Sequence, residues 1–191
     1  MLPAEHRALR ELHATVRQLE SHWRKLARRL DDDLLAEGAA TAHELLEELH
    51  ERVGGGYDLH GQPAAQAVGA RLAGARGVSD LLLERNQAFR TALLDLQHVT
   101  TLLGYAASLA HTRGDESLAA WHAEWEERLK VLEVRGRAAA AAMGADPDDA
   151  IARADERRVG RAGARLGVAF GTVGEAIDHS PLGRLARRRA T

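Results

Sequence analysis

At 191 residues the chain is long enough for one domain with a full hydrophobic core, or for a helical bundle with a tail, and too short for two independent domains of ordinary size. Its 37 Ala and 28 Leu outweigh 20 Val, Ile and Thr together, which favours helices over strands, and the lack of any cysteine excludes disulfides, thiolate metal sites and cysteine nucleophiles. The net charge of −2 is unevenly placed: residues 157–191 hold eight Arg against Glu175 and Asp178, a net +6, which leaves −8 for residues 1–156. Those arginines are not interleaved with aromatics, so they give no clear nucleic-acid signature and read as a solvated basic tail. The opening MLPAEHRALREL carries a charge every few positions and no apolar stretch of a secretory signal. No segment approaches the roughly 20 apolar residues of a membrane span. The expectation is a soluble, cytoplasmic protein.

In chain order, the spacing of Leu9, Leu12, Val16, Leu19, Trp23 and Leu30 predicts a helix over 3–30. Asp31, Asp32 and Asp33 then suit the N-terminal end of a second helix, where the macrodipole favours negative charge. That helix is predicted over 34–53, burying Leu35, Ala42, Leu45, Leu49 and Val53, with Gly54, Gly55 and Gly56 ending it. A loop carrying Tyr57, Asp58 and His60 follows, then Pro63 as the first residue of a short, weak helix to about Ala75. Ser79 can cap a long helix ending at Arg113 and Gly114.

This long helix contains the most telling segment, Leu96–Thr112, which has no Asp, Glu, Lys or Arg in a chain where 28% of residues are charged. Such a helix is expected to be buried on nearly every side. Phe89, Leu93, Leu96, Leu103 and Ala107 form one stripe, and Gln87, Thr91, His98, Thr101 and Tyr105 lie opposite. Once buried, those five hydrogen-bonding groups need partners: a neighbouring helix, a second copy, trapped water or a ligand. We take His98, Thr101 and Tyr105 as the candidate partner-binding residues of this face.

Asp115 caps a further helix on which Leu118, Trp121, His122, Trp125, Leu129, Leu132, Ala139 and Met143 share a face. Asp146-Pro147 opens another, predicted to reach about Val159. Beyond it Gly160, Gly163, Gly167, Gly171 and Gly174 change the character of the chain, and Leu166–Gly174 is uncharged. The expected organisation is a helical bundle domain over 1–159 and a glycine-rich basic segment over 160–191. The fold class is all-α, an antiparallel helical bundle of four long helices with short accessory helices.

Ten histidines among many glutamates raise the question of a metal. Glu47-x-x-His50 has the spacing by which helices hold metal ions, Asp95-x-x-His98 is a looser version, and His122 and Glu126 lie four apart. In helical projection His43 and His50 point about 90° from their apolar stripe and Glu47 about 140°, whereas His13, Glu20 and His122 sit within about 60° of a core direction. The Glu-x-x-His pattern resembles that of ferritin-like bundles. The resemblance implies a bound metal and an iron-handling or oxidase role, with His13, Glu20, His122 and Glu126, together with Glu47 and His50, as candidate ligands. Near the end, Leu182-Gly183-Arg184-Leu185-Ala186-Arg187 resembles the short peptides that load cargo into encapsulin shells, which implies a docking role for Leu182, Leu185 and Arg187. From the residues alone, the expected function is a non-enzymatic interaction or scaffold protein that self-associates or binds another protein. A ferritin-like metal binder, carried as compartment cargo, is the alternative enzyme-class reading, and a granule- or membrane-surface binder is a third.

Overall fold

The computed structural model describes residues 3–57 and 83–152, in which four long helices and no strand are found. They are α1 (Pro3–Leu30), α2 (Asp33–Tyr57), α3 (Arg85–Arg113) and α4 (Glu116–Ala142), followed by a 3-10 turn at Met143–Ala145 and the one-turn α5 (Pro147–Ala150). The all-α expectation holds throughout these residues. The predicted helix over 63–75, the Ser79 cap, Asp58, His60 and the segment 160–191 lie outside them.

The helix ends follow local chemistry. Asp31 closes α1 in a left-handed conformation (φ 53°), and the Asp32 carboxylate accepts from the Leu35 N–H at 2.9 Å, capping α2. Gly114 (φ 82°) ends α3, and Asp115 accepts from the Leu118 N–H at 3.0 Å to start α4. At the start of α3, Glu84 supplies no side-chain cap; the Arg85 N–H donates to the carbonyl of Ala152 at 2.8 Å. One boundary departs from expectation, because α2 continues through Gly54–Gly56 to Tyr57. Glycine costs about 1 kcal/mol per position in a helix, yet the helix runs on through all three. Gly54 is itself buried, close against the His50 ring.

Cross-helix contacts set the directions. Arg85 Nη2 donates to the Leu30 carbonyl (2.8 Å), Trp23 Nε1 to the Ala92 carbonyl (3.1 Å), and Arg113 pairs with Glu5 (3.1 Å), so α3 runs antiparallel to α1. The turns at Asp31–Asp32 and Gly114–Asp115 make α1/α2 and α3/α4 antiparallel hairpins. Arg135 binds Glu37 (2.5 and 2.7 Å) and Arg128 binds Glu44 (2.8 Å), which lays α4 antiparallel to α2. Each helix therefore opposes the two it touches, while α2 and α3 run the same way.

One core joins all four helices. Leu9, Leu12, Val16, Leu19, Trp23, Leu26 and Leu30 of α1 meet Leu35, Ala42, Leu45, Leu49 and Val53 of α2, with Phe89, Leu96, Val99 and Leu103 of α3 and Trp125, Leu129 and Leu132 of α4. Two glycines permit close approach: a methyl group at Gly38 would collide with the Trp23 indole, and one at Gly136 would lie 2.5 Å from Leu93 Cδ2. On α3 the buried face is wider than the leucine stripe, taking in Ala88, Ala92, Ala106, Ala110, Asp95 and Thr100. Alanine gives a weak hydrophobic signal in projection, yet it lets helices approach closely.

Candidate interaction surface

Because α3 packs through its alanine-rich side, the opposite side of its uncharged run is left open. Gln87, His98, Thr101 and Tyr105 are exposed, Tyr105 at 49%, and Thr91 is half-buried. Leu94, Gln97, Ser108 and Thr112 extend the same open surface. The expectation that this helix is covered all round is therefore corrected for the single chain. The physical reason is visible in the hydroxyls. Thr101 donates to the Gln97 carbonyl (2.9 Å), Ser108 to Gly104 (3.2 Å) and Thr112 to Ser108 (2.8 Å), each four residues back in its own helix. These groups satisfy their donors locally, so nothing compels a partner. His98 sits at the edge of the face, its Nε2 3.5 Å from Glu11 of α1.

The residues considered as metal ligands separate onto different seams. Glu20 lies between α1 and α2, paired with Arg24 and 3.2 Å from His43 Nδ1, and the other nitrogen of His43 is 3.5 Å from Glu47. The imidazole thus stands between two carboxylates that do not converge on one point. His43, read from sequence as pointing away from the core, is the residue that joins this pair. Glu126 is on the α3–α4 seam instead, against Gly104 and 2.8 Å from Lys130. His13 is half-buried on α1, and His50 is exposed on α2. Among the described residues no group of three or more His, Asp or Glu is placed to hold a metal ion. Leu182, Leu185 and Arg187 lie outside the described residues.

His122 is the one candidate that the interior encloses. It is 1% exposed on α4, its ring 4.8 Å from that of Trp121, and its Nδ1 is buried without a hydrogen-bond partner. Burial lowers its pKa from 6.5 to about 4; Arg52 adds to the shift and Asp115 opposes it. The imidazole is therefore neutral in the folded chain. Beside it, one oxygen of Glu48 accepts from both Trp121 Nε1 (2.7 Å) and Trp125 Nε1 (2.9 Å). Those indole N–H groups, Trp121 foremost, hold the Glu48 carboxyl below its usual range against the opposing effect of burial, with Arg128 and Arg52 contributing. Arg52 lies 5.4 Å from the centre of the Trp121 ring and Arg128 3.9 Å from that of Trp125, covering the seam with cations.

A second buried polar pair, missed in the sequence, joins α1 to α3: His22 Nδ1 and Asp95 Oδ2 are 2.8 Å apart, 8% and 5% exposed. From sequence Asp95 reads as half of the looser Asp95-x-x-His98 spacing, whereas in the fold it pairs with His22. Its partner lies 73 positions away, and no local pattern signals it. No helix among the described residues is long and apolar enough to cross a membrane. No protein family, curated protein or solved structure matches the chain.

Proposed function

We propose that the protein is a non-enzymatic, self-associating interaction or scaffold protein whose working surface is the outer face of α3. The observation that carries this reading is the open, uncharged surface from Leu94 to Thr112, built of Leu94, Thr101, Tyr105, Ser108 and Thr112. The hydroxyls of Thr101, Ser108 and Thr112 are already bonded to their own helix. Covering it therefore strands few polar groups, and the absence of charge removes the largest desolvation cost of an interface. An exposed, uncharged helical face suits another protein surface better than a small molecule, which favours concave sites. A second copy of the chain is the proposed partner.

The test is sedimentation equilibrium of the full chain over a wide concentration range, beside Thr101→Arg and Tyr105→Glu. Both substitutions place a charge on the exposed face without touching the core, so helicity and thermal stability should be retained while association weakens at least about tenfold, a change of 1.4 kcal/mol. A wild-type chain that stays monomeric at every concentration, or variants that associate as the wild type does, would refute the reading.

A further inference from the structure

We infer that two copies of the chain associate by pairing α3 with α3 in opposite directions, about a twofold axis at Thr101. The inference rests on the proposed function, which takes the outer face of α3 as the self-associating surface, and adds its symmetry and register.

Spacing is the first support. The exposed residues Arg90, Leu94, Gln97, Thr101, Tyr105, Ser108 and Thr112 follow one another at intervals of 4, 3, 4, 4, 3 and 4. Arg90, Thr101 and Thr112 are thus eleven apart, three helical turns to within about 20°, so the stripe runs straight along α3. The intervals read the same in both directions from Thr101. A second α3 turned end for end therefore meets the stripe residue by residue: Leu94 opposite Ser108, Gln97 opposite Tyr105, and Thr101 opposite itself.

Shape and hydrogen bonding suit those pairs. Leu94, 59% exposed, comes over the small Ser108, whose hydroxyl already donates to the Gly104 carbonyl (3.2 Å). The Gln97 amide meets the Tyr105 phenol, each a donor and an acceptor. At the axis two threonines meet whose hydroxyls are bonded to the Gln97 carbonyls (2.9 Å), so no donor is stranded. Pairing in the same direction would stack Leu94 on Leu94 and Tyr105 on Tyr105 and leave Ser108 facing Ser108, with gaps that well-packed interfaces exclude.

Charge selects the same direction. At one end of the neutral stripe, Arg90 Nε donates to the Asn86 carbonyl (3.4 Å), and among the described residues no carboxylate pairs with it. At the other end Glu116, 70% exposed, stands beside the last turn of α3, 2.8 Å from His111. Arg113 is taken up between Glu5 (3.1 Å) and Asp115 (2.7 Å), which leaves that end anionic. Turned end for end, Arg90 comes opposite Thr112, one position from the His111 that holds Glu116 and close to the negative end of the α3 macrodipole. Same-direction pairing sets Arg90 beside Arg90 and Glu116 beside Glu116.

Because the chain has no cysteine, single cysteines in the full-length protein report the arrangement by disulfide formation under mild oxidation. Thr101→Cys should cross-link to itself. Leu94→Cys and Ser108→Cys should cross-link to each other when mixed and far less to themselves, a mass tag on one chain identifying the mixed product. Self-linking at all three positions without an excess of mixed product signifies same-direction pairing and overturns the inference. So does a lack of cross-links in a chain that sedimentation shows to associate. Arg90→Glu and Glu116→Arg should each weaken association about threefold or more at low salt, and together they should restore it. Additive losses in the double variant overturn the pairing of the two ends. A wild-type chain that stays monomeric refutes the proposed function and the inference with it, whereas association lost in Thr101→Arg, with cysteines linking like to like, refutes the arrangement alone.

Discussion

Lowering the pH should destabilise this fold through His122. The unfolded chain binds a proton at this residue near pH 6.5, whereas the folded chain, with the imidazole 1% exposed and Nδ1 unpartnered, resists it until about pH 4. Above pH 6.5 both states are neutral and the residue carries no penalty. Below it the unfolded state binds more protons, so stability falls by about 1.4 kcal/mol per pH unit, reaching about 2 kcal/mol at pH 5 and levelling near 3 kcal/mol below pH 4. The assay is urea unfolding followed by tryptophan fluorescence, for the wild type and His122→Leu, at pH 7.5 and pH 5. Other titrating groups affect both proteins alike, so the difference between the two pH dependences isolates His122. Leucine should remove about 2 kcal/mol of the loss between these pH values. If both proteins lose equal stability, the imidazole is either solvated or already paired with an acceptor, and the reasoning fails.

Further expectations concern the core and its polar supports. Leu103→Ala, at a fully enclosed α3 position, should cost about 2–5 kcal/mol in denaturant unfolding, and a loss near zero would place the core elsewhere. At Gly38 two effects oppose each other: alanine gains about 1 kcal/mol of helix propensity but forces overlap with Trp23, at about 1–3 kcal/mol or more. Trp23 is enclosed and bonded to the Ala92 carbonyl, so it has little room to yield, and Gly38→Ala should lower the melting temperature. Glu48→Ala strands the indole N–H groups of Trp121 and Trp125 and should cost about 1–3 kcal/mol with a shift in tryptophan emission. The Glu48 carboxylate has a lowered folded pKa, so its contribution is present above the ordinary glutamate range and fades as the pH falls through the folded value.

Much of the helical layout is legible in the residues. The stripes over 3–30 and 34–53 name positions that are all buried, because large aliphatic side chains at regular spacing leave one solution for a helix. The same holds for Leu118, Trp121, His122, Trp125, Leu129 and Leu132. The neutral run was harder to read: lack of charge permits burial without requiring it, and serine and threonine can satisfy themselves against their own helix. The metal candidates illustrate a related limit. Projection places Glu20 and His122 toward the interior; Arg24 is a local partner one turn along the same helix, yet only tertiary packing decides that Glu20 meets His43 and that His122 is enclosed. Long-range pairs such as His22–Asp95 and Glu48 with Trp121 and Trp125 span more than seventy positions, beyond any local periodicity.

The His22–Asp95 pair also bears on how the halves of the fold find each other. Each hairpin, α1/α2 and α3/α4, is closed by a tight turn and relies on contacts near in sequence, the kind that form early in folding. Docking one hairpin on the other is a long-range event, and leucine and alanine surfaces offer several sliding alignments of similar energy. A shift of one helical turn, about 5.4 Å, would separate the Asp95 carboxylate from the His22 imidazole and take the Ala92 carbonyl away from Trp23 Nε1. A buried carboxylate without its partner costs several kcal/mol, so the misaligned states are penalised far more than apolar packing alone would penalise them. These two bonds should therefore act as a vernier, penalising slipped alignments of the two hairpins more than they deepen the native well.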